Sequence, residues 1–295
     1  MKNLLLIVNP MAGKGMYKEG LADALAILAK GGYVTTIRFT EKPGHAIQLT
    51  HERGEQYDGV ACMGGDGTLS EVLEGAVGLE KQPLIGYFPL GTANDVATTL
   101  KIPKNNVPQA AERIVNGTPM DFDIGTFGND GNFTYVAAFG AFTDISYETP
   151  QQEKQALGYF AYVLEGMLRL PKIASVHAKV EYDGGMVEDD FILGGLVNST
   201  SVAGLIHLDP TKIILNDGLF ELSLVRLPKT ITEFSQLIKD LINQDYTGPY
   251  FKFVSTSYAK FTFDKPVAWT RDGEGGGEYQ EIEFHNIHNA VQIIV

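Results

Sequence analysis

Three stretches gather glycine with small polar or charged residues: Asn9-Pro-Met-Ala-Gly-Lys-Gly15, Gly64-Gly-Asp-Gly-Thr68 and Pro89-Leu-Gly-Thr-Ala-Asn-Asp95. Each follows an apolar run and precedes a helical pattern. In an open α/β fold such turns lie at the carboxyl edge of the sheet, where helix amino termini offer unpaired N–H groups to anions. Glycine lets the backbone approach a polyphosphate with no Cβ in the way. Neither familiar fingerprint fits. Gly13-Lys14-Gly15 lacks the upstream glycine and the following Ser or Thr of a P-loop, and Ser70 stands where a dinucleotide G-x-G-x-x-G needs its last glycine. The middle turn carries a carboxylate, Asp66. A carboxylate inside a phosphate turn is unfavourable unless a cation such as Mg²⁺ lies between it and the phosphates.

The second half has its own candidate acids. Asp272-Gly-Glu274 runs into Gly275-Gly-Gly277, a backbone able to approach a cleft, and taken alone Glu274 reads as a solvated turn carboxylate. Asn216-Asp217-Gly218 is a strong turn signal in which Asp caps its own turn. His285 and His288 are spaced like a metal pair, but three residues apart on a strand they face opposite sides, so they are read as structural. Lys14 reads as an exposed lysine and Trp269 as core.

The elements that must hold these residues alternate in the first third: strands over Leu4–Val8, Tyr33–Phe39, Tyr57–Met63 and Pro83–Phe88, with helices over Leu21–Leu28, from Gly44-His45, and over Thr68–Gly75. That rhythm predicts βα units and a mainly parallel sheet. Beyond about Met120 the turn signals Asn129-Asp130-Gly131-Asn132, Asp183-Gly184-Gly185, Asn216-Asp217-Gly218 and Asp272-Gly273 separate apolar stretches, predicting mostly antiparallel β. Helical patterns near Glu153–Leu170 and Ile231–Asn243 interrupt it.

Taken in order, Asn9-Pro10 to Gly13, Thr40 with Gly44-His45-Ala46, Gly64-Gly-Asp-Gly-Thr68 with Glu71-Val72, Gly91-Thr-Ala-Asn-Asp95, Asn216-Asp217-Gly218 and Asp272-Gly273-Glu274 resemble the diacylglycerol kinase catalytic family, which includes bacterial lipid kinases and sphingosine kinases. The resemblance implies an α/β nucleotide domain like that of NAD kinases, residues 1–122, and a mainly antiparallel β-sandwich that takes the lipid, residues 123–285, with 286–295 a candidate to return to the first. It implies ATP as co-substrate and Mg²⁺. By motif match Asn9, Gly13 and Thr40 line the nucleotide site. Gly64, Gly65, Asp66, Gly67, Thr68 and Glu71 contact the phosphates and metal, and Thr92 adds a phosphate contact. Asp95 sits near the lipid hydroxyl, Asp217 with the carbonyls of Ile214 and Leu219 matches a metal site, and Glu274 matches the general base. The chain departs from the family pattern at Ser70, at Val96-Ala97-Thr98 in place of Phe-Ala-Arg, and in the single Gly204 after Asn198.

Composition narrows the classes. Over 295 residues, 44% are apolar and 20% charged, enough for a packed core and too apolar for disorder. A net charge of −13 argues against nucleic acid and against broad attraction to anionic lipid. The single Cys62 excludes an internal disulfide and fits a reducing cytoplasm. The apolar opening, Leu4–Val8, falls far short of the ~20 residues of a membrane span and has no cleavage site. The expectation is a cytoplasmic lipid kinase with transient peripheral contact at a membrane surface, made through Lys101-Ile-Pro-Lys104, Arg169-Leu-Pro-Lys172 or Arg226-Leu-Pro-Lys229. Acyl-glycerol, phosphatidylglycerol, ceramide-like and sphingoid alcohols all stand as acceptors, and no feature specifies an oligomeric state. Two rivals stay open: an NAD kinase, and a nucleotide-binding regulator of this fold that has lost turnover.

Overall fold

The run Leu4–Val8 has no polar alternation, so a strand made from it must be covered on both faces. The computed structural model describes residues 1–140, 175–199, 201–202, 206–207 and 213–295, which fall into two units, Met1–Ile124 with Ile287–Val295, and Gly125–Asn286. In the first unit β1 (Lys2–Val8), α1 (Leu21–Lys30), β2 (Tyr33–Phe39), α2 (His45–Arg53), β3 (Gly59–Gly64), α3 (Asp66–Ala76), β4 (Leu84–Pro89), α4 (Asp95–Thr99), α5 (Val107–Asn116) and β5 (Pro119–Thr126) follow in order. β1 pairs in parallel with β2 on one side and β3 on the other, and β3 with β4. Leu4, Leu6 and Val8 pack with Ala24 and Leu28 of α1 and Ala110, Ala111 and Ile114 of α5. Leu5, Ile7, Val60 and Cys62 are equally buried on the opposite face. Every strand-to-helix turn therefore leaves the same edge of the sheet.

The second unit is antiparallel. After β5 come β6 (Asn132–Phe133), β7 (Val136–Gly140), β8 (Val176–Tyr182), β9 (Gly185–Val197), β10 (Ser201–Val202), β11 (Ile206–His207), β12 (Phe220–Arg226), α6 (Ile231–Asn243), β13 (Phe251–Thr256), β14 (Tyr258–Arg271) and β15 (Glu274–Ile294). The pairings run β13-β12-β9-β7-β14-β15, with β8 filling the slot between β9 and β14 at the end that β7 leaves free. β12 and β15 are four strands apart on this path, roughly 19 Å in a flat sheet. Yet Phe133 touches Phe220 of β12 at 5.0 Å and Phe284 of β15 at 5.9 Å, centroid to centroid. The sheet therefore curls around a shared aromatic core. Trp269 stands in that core with Phe139, Phe261 and Phe284 each 5.0 Å away, as its sequence context predicts.

Element bounds follow the sequence closely at Tyr33–Phe39 and Ile231–Asn243, where Thr230 accepts from the Glu233 N–H at 3.1 Å and caps α6. They differ at the middle turn. The helix expected from Thr68 begins at Asp66, and the strand expected from Tyr57 begins at Gly59, because Tyr57 ends a short 3₁₀ turn over Gly54–Gln56. The expected helix near Glu153–Leu170, the stretch Arg169–Lys172, Gly204 and the Lys14 side chain lie outside the described residues and side chains.

Candidate active site

Asp66 is the first residue of α3 and is buried. Its carboxylate accepts the backbone N–H of Asp95 at 3.1 Å and of Val96 at 3.3 Å, so the acid of the second turn caps the helix that follows the third. Both Asp66 and Asp95 are held above the ordinary carboxylate range. Burial is the chief cause for each; for Asp66 the neighbouring Asp95 charge adds to it and the N–H bonds oppose it. For Asp95, the Lys104 ammonium opposes the rise.

The glycines bring the three turns together. A Cβ on Gly91 would come within 2.6 Å of Gly65 Cα, so the second and third turns meet backbone to backbone. A Cβ on Gly13 would lie 2.5 Å from the Leu90 carbonyl, which puts the first turn against the third. Asn9 Nδ2 donates to Thr68 Oγ1 at 2.9 Å, tying the first turn to α3. Thr40 follows β2 at the same sheet edge, its N–H on the Val8 carbonyl at 2.9 Å. Thr92 is exposed.

Glu71 has a partner the sequence does not announce. Its two oxygens accept the N–H groups of Gly44 at 2.8 Å and Ala46 at 3.0 Å, at the amino terminus of α2. That carboxylate ties the Gly44-His45 loop to α3 and neutralises a helix end that otherwise attracts an anion. Cys62, behind the turn, has its thiol pushed up by burial and then by Asp66 and Glu71; it is a core residue.

Sequence reasoning missed two residues here. Asn94 is fully buried in a left-handed conformation; its Oδ1 accepts the Gly91 N–H at 2.9 Å and its Nδ2 donates to the Gly91 carbonyl at 2.7 Å, clasping the third turn. An Asn three residues after a turn glycine is the available signal. Lys104 donates to the Ala93 carbonyl at 3.0 Å, and Ile102 beside it is buried. The stretch Lys101–Lys104 thus offers its cation to the third turn and its apolar side chain to the core, which removes Ile102 as a headgroup contact. In Arg226–Lys229, Arg226 pairs with Asp189 at 3.3 Å and Pro228 is buried.

In the second unit Glu274 opens β15 and is exposed, with no hydrogen-bond partner for its carboxylate among the described residues. Asp272 just before it is buried, and its carboxylate accepts the N–H groups of Thr134 (2.8 Å), Tyr135 (2.9 Å) and Val136 (3.1 Å). Asp217 is exposed and accepts the Leu219 N–H at 3.0 Å, the turn-capping arrangement; Ile214 is exposed nearby in sequence. Glu221 is pushed up by its own burial, an effect that the Ser255 hydroxyl donating to it at 3.0 Å opposes and the Asp217 charge reinforces. His288 bonds Asp123 at 3.1 Å and the His285 ring lies tilted at 5.0 Å from that of Tyr258, both structural contacts.

A family model of the diacylglycerol kinase catalytic domain matches residues 3–127. The chain is 30% identical to the diacylglycerol kinase of Bacillus subtilis (strain 168), over 100% of this chain and 97% of the relative. It is 35% identical to that of Staphylococcus aureus (strain JH9), over 99% and 92%. Among solved structures, a diacylglycerol kinase of Bacillus anthracis is similar with a TM-score of 0.75 at 22% identity, covering 99% of this chain and 96% of that one. An NAD kinase from Archaeoglobus fulgidus in complex with ATP gives 0.58 at 14%, covering 99% and 93%. At those identities the last two likenesses bear on fold alone.

Proposed function

Since the chain belongs to the diacylglycerol kinase catalytic family and is a kinase acting on a lipid alcohol, we propose that it moves the γ-phosphoryl group of ATP to a hydroxyl of a diacylglycerol-like lipid with Glu274 as general base. The observation that carries the nucleotide half is the meeting of three glycine turns around the buried carboxylate of Asp66. Their backbone N–H groups suit a triphosphate, with Asn9, Gly13, Thr40 and Thr92 at its margins and Gly64–Thr68 beneath it. In this reading Glu71 serves the site by holding the Gly44-His45 loop. The first unit is the nucleotide domain, and the curled sheet of the second is read as a sandwich that takes the lipid.

The residues present fit Mg²⁺. Asp66 is buried and Asp95, whose N–H it accepts, is half-buried; both are raised in pKa, and a divalent cation at that point would relieve both the desolvation and the repulsion. Bound there, it would offset the charge of the phosphates. Asp217, with the carbonyls of Ile214 and Leu219, is a second candidate metal position, its carboxylate exposed at the turn.

Asp95 orients the lipid hydroxyl. Glu274 accepts its proton as the new O–P bond forms and the bond to the β-phosphate oxygen breaks, leaving ADP. An exposed glutamate on a strand end suits a base that must meet a substrate arriving from outside. Among the described residues no helix is long and apolar enough to cross a membrane; the lipid is reached by transient contact from the cytoplasm.

The test is phosphoryl transfer from radiolabelled ATP to a lipid panel plus NAD in mixed micelles. Label is expected in a diacylglycerol-like lipid. Label in NAD and in no lipid overturns the reading.

A further inference from the structure

The Glu274 carboxylate makes no hydrogen bond among the described residues, so its direction is set by the backbone that carries it. On its amino side the backbone is secured. Asp272 and Gly273, at φ 50° and 82°, form the two-residue turn between β14 and β15, and the Asp272 carboxylate is held by three N–H groups. On its carboxyl side stand three glycines, which by themselves fix nothing. The register shows what happens there: Arg271 pairs with Glu274 and Thr270 with Gly275, but Trp269 pairs with Gly277. Gly276 is an extra residue, a bulge that bends β15 two residues from the proposed base.

We propose that Tyr279 and Asp130 are positioning residues for Glu274, locking the Gly276 bulge and thereby aiming the start of β15. The proposal rests on Glu274 being the base. The Tyr279 hydroxyl lies 2.6 Å from Asp130 Oδ2 and 3.0 Å from the Gly276 carbonyl, between the bulge and the Asn129-Asp130 turn. Arg271 Nη1 donates to the Asp130 carbonyl at 2.9 Å, so the last residue of β14 anchors the same turn, while its guanidinium stands 5.8 Å from the Phe127 ring centre. The bulge also has no room to shift toward the core, since a Cβ on Gly276 would lie 2.9 Å from Phe127 Cζ. Tyr279 meets Phe127 edge-on at 5.7 Å, which fixes the phenol ring itself. Burial and then Asp130 push the phenol up to about 12, so it stays a donor across the assay range.

The experiment is a double-mutant cycle on the full chain with Tyr279→Phe, Asp130→Ala and the pair, read as kcat and as KM for ATP and lipid, beside Glu274→Gln. Loss of aim at a reacting group costs up to about a hundredfold. Tyr279→Phe is expected to lower kcat roughly tenfold to a hundredfold with KM for ATP unchanged, Asp130→Ala to lower it less, and the pair to match Tyr279→Phe alone. Parental kcat in a folded Tyr279→Phe, or independent losses that multiply in the pair, overturns the proposal. If Glu274→Gln is inactive while Tyr279→Phe is normal, only the positioning role falls. If Glu274→Gln turns over like the parent, the base assignment falls and takes this role with it. Should Tyr279→Phe not fold, Asp130→Ala, at an exposed turn, carries the test by its own kcat.

Discussion

Asp66 and Glu274 each lie among glycines, yet the two regions use glycine and carboxylate in opposite ways. At Asp66 the acid is buried and bonded to backbone N–H groups, and Gly91 is required because two turns touch and a Cβ there would meet Gly65 Cα at 2.6 Å. At Glu274 the acid is exposed, and the glycines shape a hairpin and a bulge. On the proposed reading the first arrangement is a preorganised seat for phosphate and cation, and it carries two acids raised in pKa. The second leaves a carboxylate facing solvent on a backbone held at both ends. If the proposed roles hold, the nucleotide region gains from rigidity and burial, whereas a base that must meet an incoming hydroxyl needs to be accessible.

The sharpest break between the two regions is chemical. Glu274→Gln keeps shape but cannot take a proton, and turnover should fall by about 10² to 10⁴ with ATP binding intact; titration with a fluorescent ATP analogue alongside the lipid assay checks both halves. Near-parental turnover moves the base elsewhere. Asp66→Asn should cost roughly 10² to 10³ in turnover, and unlike Glu274→Gln it should blunt the dependence on Mg²⁺ concentration. An unaltered Mg²⁺ titration would remove Asp66 from that role.

The glycines separate the regions on stability. Gly91→Ala forces a Cβ against Gly65 Cα and should destabilise by about 1 to 3 kcal/mol. Gly275→Ala, where a Cβ meets nothing within 4 Å, should stay within about 0.5 kcal/mol. Urea unfolding of both variants measures the contrast, and equal losses would end it.

The smallest effect is electrostatic. Because burial raises Asp95 in the folded state, its contribution to stability is present below the unfolded carboxylate range and is lost as pH rises through the folded value. Asp95→Asn does not share that loss, so its melting temperature should climb relative to the parent as pH rises above the ordinary carboxylate range of about 4. A difference that stays flat over the series would show that the Asp95 charge costs the fold nothing.

Much of the fold was legible because its signals are local. Tyr33–Phe39 alternates no helix-period stripe and lies between Gly31-Gly32 and Thr40, and Ile231–Asn243 follows a capping Thr230 with Glu233 three residues on. At the middle turn the helix begins two residues before the pattern predicts, since helix periodicity becomes visible only after its first turn while Asp66 already has helical conformation. At the site, the glycine turns and their acids were visible as residue types. Glu71 was visible only as an acid near phosphates, because its partners Gly44 and Ala46 stand 27 and 25 residues away.

Sequence alone determined which segments alternate, where the turns fall, and that three glycine turns and two acids could serve phosphoryl transfer, because propensity and periodicity act over a few residues. Tertiary structure alone decided how those residues spend their valences. It gave the Glu71 charge to a helix end, buried Ile102 while aiming Lys104 at the third turn, wired Asp66 to Asp95 and Val96, and set Tyr279 against the Gly276 bulge. Those outcomes depend on partners brought together by packing, and a one-dimensional pattern carries no information about which of several acids will reach a given N–H group.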